Sequence, residues 1–308
     1  MRTTVVIPSY RRPQSLARCL DALERQQRPA QETIVVVRED DAASQRVVRS
    51  REPPVRLVQV DRPGVVAAMN AGIDASSGDV VALTDDDAAP HPDWLARMLA
   101  AYEADPRVAA VGGRDSLYID GRPWGGAAER VVGVVSRLGL VTGNHHAGVG
   151  AARDVDVLKG ANLSVRGDLL RELRIDERLR GVGTEHHWEL ALCLSLRRRG
   201  LRVVYDPSIV VDHHPQPRID DSRQFSALEL RDSTHNKTLA VLEHLSPPRQ
   251  ALYLAWAAAV GTGTDPGLAQ MLRLLPTRRA RAWALFRGHL AGLALAVRTL
   301  RRSRRPAV

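Results

Sequence analysis

The chain has 308 residues, 44% of them hydrophobic and 26% charged, with a formal net charge of +9. That length and apolar content suffice for a full core in one large domain, or in a domain with an appendage, and they exclude disorder as the default state. The charge is uneven: residues 218–308 hold 15 Lys and Arg against 6 Asp and Glu, the first 217 residues hold 29 against 29, and no acidic residue follows Asp265.

Two cysteines far apart in segments of helical periodicity, Cys19 and Cys193, fit reduced core thiols in a cytosolic protein. The opening "MRTTVVIPSYRR" has too short an apolar run for a signal peptide, so the expected location is cytoplasmic.

In chain order, residues 5–7, 34–37, 57–60 and 80–83 are short runs rich in Val and Ile, the pattern of strands buried on both faces of a parallel sheet. Between them "PQSLARCLDALERQ" spaces Leu16, Cys19, Leu20 and Leu23 as a helix after Pro13. "GVVAAMNAGIDASSG" repeats the pattern with Val66, Met69, Ala71 and Ile73 and stops at Gly78. Strand and helix alternate, which predicts a doubly wound α/β fold whose ligands lie beyond the carboxyl ends of the strands. Residues 112–160 are Gly-rich and weakly periodic, and predict loops around one or two short elements. "GANLSVRGDLLREL" restores order, followed by a helix over about 185–199 and by "LRVVYDPSIVVDHH", two short strands around Pro207. From about residue 225 the chain is helical, amphipathic and rich in Ala, Leu and Arg.

One feature of the fourth strand asks for chemistry. "VVALTDDD" runs directly into Asp85, Asp86 and Asp87, and clustered carboxylates repel one another unless a cation, usually divalent, joins them. Capping of the next helix explains one aspartate, not three. The pairs His145 and His146, and His186 and His187, lack the cysteines and regular ligand spacing of a zinc site.

Further motifs accompany the triplet. "TVVIPSYRRPQSLARCLDAL", "PGVVAAMNAGIDASSGDVVALTDDDAAPHPDWL", "KGANLSVRGDLL" and "HWELALCLSLRRRGLRVVYDPSIVVDHH" follow in order. Over about residues 3–215 the chain resembles the family 2 glycosyltransferases, inverting enzymes of the GT-A fold, a Rossmann-like mixed and mainly parallel sheet flanked by helices. The resemblance implies a nucleotide-sugar donor site. Pro8, Tyr10 and Arg11 would lie near its base and ribose, and Glu39 or Asp40 would contact the base, with uracil the expected one. Arg62 and Gly64 would line the approach loop, with Asn70 and Gly72 on the helix beside the nucleotide, Gly72 there also for close packing. It further implies that Asp85 faces the ribose, that Asp87 binds a metal, Mn2+ or Mg2+, bridging the diphosphate, and that Asp86 belongs to the donor site but points elsewhere. His213, or His214 as second choice, would complete the metal shell, and imidazole suits manganese. Counting back from Gly200, Glu189 takes the family's base position, with Glu185 the rival and Trp188 a wall for the acceptor.

The tail, residues 218–308, is read as a helical, basic region following a catalytic domain of residues 1–217. "RQALYLAWAAAVGTG" is far shorter than the ~20 residues a membrane span requires. "RRARAWALFRGHLAGLALAVRTLRRSRR" sets Trp283, Phe286, Leu290, Leu293 and Val297 among arginines. This is the composition of an interfacial helix on anionic lipid, or equally of a helix packed on the catalytic domain with a solvated basic face. Low aromatic content and the lack of a recognition motif argue against nucleic acid.

The expected function is transfer of a single sugar, from a UDP-sugar to a hydroxyl of a lipid-linked or polysaccharide acceptor, at the inner face of the cell membrane. "QMLRL" lacks the Trp of the QxxRW motif that the family's processive synthases carry. Two alternatives stand beside it. A nucleotidyltransferase is opposed by a first-strand loop, "PSYRRP", without glycine; a binding module that has lost its chemistry would be distinguished by Glu189 failing to face the donor.

Overall fold

The computed structural model describes residues 1–52, 55–124, 126–181, 185–215 and 226–303. The domain boundary expected at residue 217, and Arg304 and Arg305 of the basic end, lie outside the described residues.

The first half alternates as expected: β1 (Thr3–Ser9), α1 (Pro13–Glu24), β2 (Glu32–Arg38), α2 (Ala42–Arg49), β3 (Val55–Val60), α3 (Val65–Ala75) and β4 (Val80–Leu83). There follow β5 (Ala88–Pro90), α4 (Trp94–Ala104), β6 (Val108–Ile119), the two-residue strands β7 (Arg122–Pro123), β8 (Val134–Val135), β9 (Val141–Thr142) and β10 (Arg153–Asp154), then β11 (Leu163–Arg166) and α5 (Gly167–Leu173). The chain continues with α6 (Trp188–Arg198), β12 (Arg202–His213), α7 (Ala227–His244), α8 (Pro247–Ala259) and α9 (Leu268–Ser303).

The main sheet runs β10-β12-β6-β11-β4-β1-β2-β3, with β5 on β12 and β7 on β6. β1 is parallel to β2 and β4, and β2 to β3, while β11 enters antiparallel between β4 and β6. The sheet is therefore mixed and mainly parallel. Alternate side chains of one strand feed opposite layers. Val5 and Ile7 pack with α1 and α4, through Leu16, Leu20, Trp94 and Leu95. Val6 and Val36 pack with α3, α5 and α6, through Met69, Ile73, Leu170 and Leu192. Cys19 and Cys193 are buried free thiols, one in each layer.

Two expectations need correcting. The two short strands around Pro207 are one strand, because the register with β6 shifts between Asp206 and Val210, and this irregularity absorbs the proline without ending the pairing. Residues 112–119, expected as loop, extend β6 and pair with β12 as far as Leu117 opposite His213.

The C-terminal helices pack on this frame. α7 starts with a capping box, Ser226 with Glu229, and shares an apolar cluster with α6 and α9 through Leu190, Leu194, Leu239, Val241 and Ala296. In α9, Gly288 and Gly292 let the helix approach α7 closely: a Cβ at Gly292 would lie 2.5 Å from the Arg231 carbonyl oxygen. Leu293, expected on a lipid-facing stripe, is buried here, whereas Trp283 remains 46% exposed. Pro276 lies in α9, and the backbone leaves helical geometry at Arg278. Among the described residues no helix is long and apolar enough to cross a membrane.

Candidate functional site

The carboxyl ends of β1, β2, β4 and β12 converge on one group of polar side chains. β4 is wholly buried, so the chain beyond it delivers Asp85, Asp86 and Asp87 directly from the core. Across the sheet, the end of β12 delivers His213. Ligand-capable atoms of Asp85, Asp87 and His213 all lie within 4.8 Å of one another, the one such group of three or more among the described residues.

His213 holds two carboxylates. Its Nε2 is 3.2 Å from Asp87 Oδ1, and its Nδ1 is 2.9 Å from Asp115 Oδ1. Burial works against the charged ring, but the bonds to Asp115 and Asp87 outweigh it and push its pKa up to about 10. Asp115, 2% exposed, sits on β6 opposite Val211. It fixes the ring orientation as an outer carboxylate does for a ligating histidine. His214 is not part of this group, and its ring lies 4.7 Å from that of Tyr118.

The triplet divides its work. Burial and the charge of Asp87 raise the Asp85 carboxyl to about 6. Asp86 accepts from Ser9 Oγ at 2.7 Å, at the end of β1, and pairs with Arg12 at 3.2 Å. Burial raises its pKa to about 7 against the opposing charge of Arg12. Arg12 also reaches Asp87 Oδ2 at 3.2 Å. Neither Arg12 nor Asp115 was among the residues singled out from sequence.

On the side of β1 and β2, Asp40 pairs with Arg11 and Arg38, each at 3.2 Å, and accepts from Tyr10 Oη at 3.3 Å. Both guanidinium groups lie over the Tyr10 ring, at 4.9 and 5.0 Å. Asp41 caps α2 and accepts the Arg11 N–H, which ties the loop after β1 to the end of β2. Glu39 is exposed, and Pro8 lies inside β1 opposite Val36.

At the start of α3, Gly64 has φ 115, and the Glu185 carboxylate accepts from Val65 N–H at 2.8 Å and Val66 N–H at 3.2 Å. Glu185 thus caps a helix, which sets it apart from Glu189, half-buried in the first turn of α6. Arg62, Pro63, Val66 and Glu185 line a cavity of ≈140 Å³ beside it. Gly72 is a packing glycine: a Cβ there would stand 2.3 Å from Val6 Cγ1.

Asn70 and Trp188 both have partners within the fold. Asn70, expected at the nucleotide, uses its amide on the peptide of Ile175, donating to the carbonyl at 2.9 Å and accepting the N–H at 2.8 Å. Trp188, expected as an acceptor wall, is 7% exposed in the core, its ring against Gly160. An exposed aromatic stands at the β7 end, where Trp124 is 48% exposed with its ring 4.7 Å from that of His146.

Residues 4–153 match the model of the family described as Glycosyl transferase family 2. Glycosyltransferase AglE of Haloferax volcanii is 31% identical over 134 residues, 41% of this chain and 43% of the relative. The succinoglycan biosynthesis protein ExoO of Rhizobium meliloti is 33% identical over 39% of this chain and 35% of its own. The chain thus spans less than half the length of either relative. A glucosyl-dolichyl phosphate glucuronosyltransferase of Haloferax volcanii is 25% identical over 69% of each chain. Among solved structures, GalNAc-T7 with UDP, GalNAc and Mn2+ superposes with TM-score 0.64 at 15% identity, over 84% of this chain and 50% of that one. The mannosyltransferase PcManGT of Pyrobaculum calidifontis, with GDP-Man and Mn2+, gives 0.53 at 20% identity, over 99% and 88%. Sheet order and helical layers agree with these structures: the chain has the GT-A fold, and its residues 4–153 are similar to glycosyl transferase family 2.

Proposed function

We propose that the protein is an inverting, metal-dependent glycosyltransferase that moves one sugar from a nucleoside-diphosphate donor, UDP-linked as first choice, to a hydroxyl of a lipid-linked or polysaccharide acceptor. The observation that carries the proposal is the Asp85, Asp87 and His213 group at the carboxyl ends of β4 and β12. Its donor set fits a manganese or magnesium ion: two carboxylates and an imidazole, with Asp85 lifted by burial and by the charge of Asp87, an excess of negative charge that a cation relieves.

Asp87, Asp85 and His213 would hold the ion, which would supply positive charge to the leaving nucleoside diphosphate. Tyr10, Arg11 and Asp40 would hold the base and ribose, with Glu39 as the alternative to Asp40. Glu189 would take the proton of the acceptor hydroxyl as that oxygen bonds the anomeric carbon and the bond to phosphate breaks, its electron pair leaving with the diphosphate. One carboxylate opposite the leaving group gives a single displacement and inverted configuration.

The acceptor would be met at the inner membrane face. Leu252, Leu268, Leu272 and Trp283 are exposed on α8 and α9, with Arg273, Arg278, Arg279 and Arg281 along the same stretch of α9, a combination that suits an anionic bilayer. In co-sedimentation with phosphatidylglycerol vesicles, Leu272→Glu with Trp283→Glu is expected to release the protein; unchanged binding removes the membrane from the proposal.

The core test is a thermal-shift series with UDP-glucose, UDP-N-acetylglucosamine and GDP-mannose, each with Mn2+, Mg2+ and chelator. The expected result is a metal-dependent shift for one nucleotide, lost in Asp87→Ala. A shift indifferent to chelator, or no shift for any donor, overturns the metal-dependent donor site.

A further inference from the structure

The segment that leads into α6, and so to Glu189, is held from the C-terminal helices. Asn236 of α7 is 0% exposed. Its Oδ1 accepts the Arg180 N–H at 2.8 Å, while its Nδ2 donates to the carbonyls of Arg180, at 2.8 Å, and His186, at 2.9 Å. One turn earlier on α7, Ser233 Oγ lies 3.0 Å from His187 Nε2. His187 is the residue before α6 and has left-handed backbone angles, φ 68 and ψ 18, which a residue with a Cβ adopts only at a cost. Ser233 thus meets the segment at a residue of positive φ.

These contacts extend back through the tail. His235 Nδ1 is 2.9 Å from Asn236 Oδ1, and His235 Nε2 is 3.1 Å from Thr299 Oγ1 on α9. The α6 face beyond the segment packs on α7 through Leu190, Leu194, Leu239 and Leu242. Helix pairing needs only such apolar contacts, and buried polar groups add a desolvation cost unless every one is matched. Here the Asn236 amide is matched on main-chain groups of residues 180 and 186, and Ser233 and His235 on side chains, so that the main chain is held at 180 and 186 as well as the helices paired.

We propose that Asn236 and Ser233 are positioning residues: they set the start of α6, and through it the reach of Glu189 toward the acceptor, so that the packed pair α7 and α9 is a working part of the active site. This rests on the reading of Glu189 as the base. An error of about 1 Å in such placement suffices for a hundredfold loss of rate, with the donor bound as before.

The test uses the full chain with Asn236→Ala, Ser233→Ala, Ser233→Thr and Glu189→Gln, and two measurements. Hydrogen exchange of amides 185–190 is expected to speed at least about tenfold in Asn236→Ala and Ser233→Ala, with β1 and β4 unchanged; unaltered exchange overturns the proposal whatever the activity. Nucleoside diphosphate release is then followed with UDP-glucose, UDP-N-acetylglucosamine and GDP-mannose in Mn2+. The expected split is a turnover at least about tenfold lower with the donor KM within about twofold, restored toward the wild type in Ser233→Thr. In the Glu189→Gln background Asn236→Ala is expected to add no further loss, since both act on one step. A fall in turnover matched by an equal rise in KM, or full additivity with Glu189→Gln, makes the contacts structural only. Full turnover in Glu189→Gln itself refutes the base assignment and is distinguishable from either outcome.

Discussion

Asp115 offers the sharpest probe of the cluster, because its carboxylate is hydrogen-bonded to His213, a member of the triad that would hold metal. Asp115→Asn keeps volume and shape, so it opens no cavity on β6. It exchanges a charged acceptor for a neutral amide 2.9 Å from His213 Nδ1, at a place where the two side chains are 3% and 11% exposed. A hydrogen bond to a charged group contributes about 1.5–3 kcal/mol, and loss of an outer carboxylate on a ligating histidine costs about 10–100-fold in metal affinity, about 1.4–2.7 kcal/mol. The two ranges agree. Calorimetric titration of MnCl2 at pH 7.5 is therefore expected to show Kd raised 10–100-fold in Asp115→Asn and no binding in Asp87→Ala.

Proton linkage supplies an internal control. With its pKa raised to about 10, His213 is protonated at pH 7.5, so binding through Nε2 must release about one proton and tighten as pH rises. Without metal, the same raised pKa contributes stability that is complete below about 6.5, the unfolded value, and is lost as pH rises through about 10. Wild-type Mn2+ affinity in Asp115→Asn, alongside the expected loss in Asp87→Ala, would refute the role of His213 as an oriented ligand.

Other expectations follow from the same geometry. Glu189→Gln should keep donor affinity and lose about two to four orders of magnitude in turnover, whereas Glu185→Ala, which strips the cap from Val65 and Val66, should show first as a stability loss of about 0.5–2 kcal/mol in urea unfolding. Gly72→Ala should destabilise by about 1–3 kcal/mol, since its Cβ would meet Val6 Cγ1 at 2.3 Å and Val36 Cγ2 at 3.0 Å; a change under about 0.5 kcal/mol would contradict the close helix-to-sheet approach. Burial holds the His187 pKa down to about 3, so below pH 6.5 the unfolded chain takes up a proton that the fold refuses and stability falls as pH falls. Urea midpoints at pH 7, 6 and 5 should lose up to about 1.4 kcal/mol per pH unit of that slope in His187→Gln, and an unchanged slope would place His187 in water.

The parallel half of the fold was legible because strands buried on both faces leave continuous apolar runs, as at residues 34–37, and because Pro13 marks a helix start. The Asp triplet was legible for the opposite reason: three charges at the end of such a run have no packing account. What stayed hidden depends on register between distant strands. Asp115 lies 98 residues from His213, and only the pairing of β6 with β12 reveals their contact. Asn70 has the helix position of a ligand-facing residue, yet its partner is a peptide 105 residues away. Glu185 and Glu189 lie four residues apart in sequence, and only contact with the α3 terminus shows that Glu185 serves as a cap. The polar set on α7 was unreadable for a different reason: Ser233, His235 and Asn236 look like the wet face of an amphipathic helix until α6 and α9 close over them.

The placement of His213 has a bearing on synthesis. Asp85 and Asp87 leave the ribosome long before the histidine does, and the strand that carries it docks beside β6, across β11 and β6 from β4. A nascent chain therefore holds an acidic pair with no third ligand until nearly the whole sheet has formed, and its grip on any passing cation stays weak until then. Capture of the ion would then report that the sheet is complete, and would stabilise the finished fold over every shorter or half-assembled form.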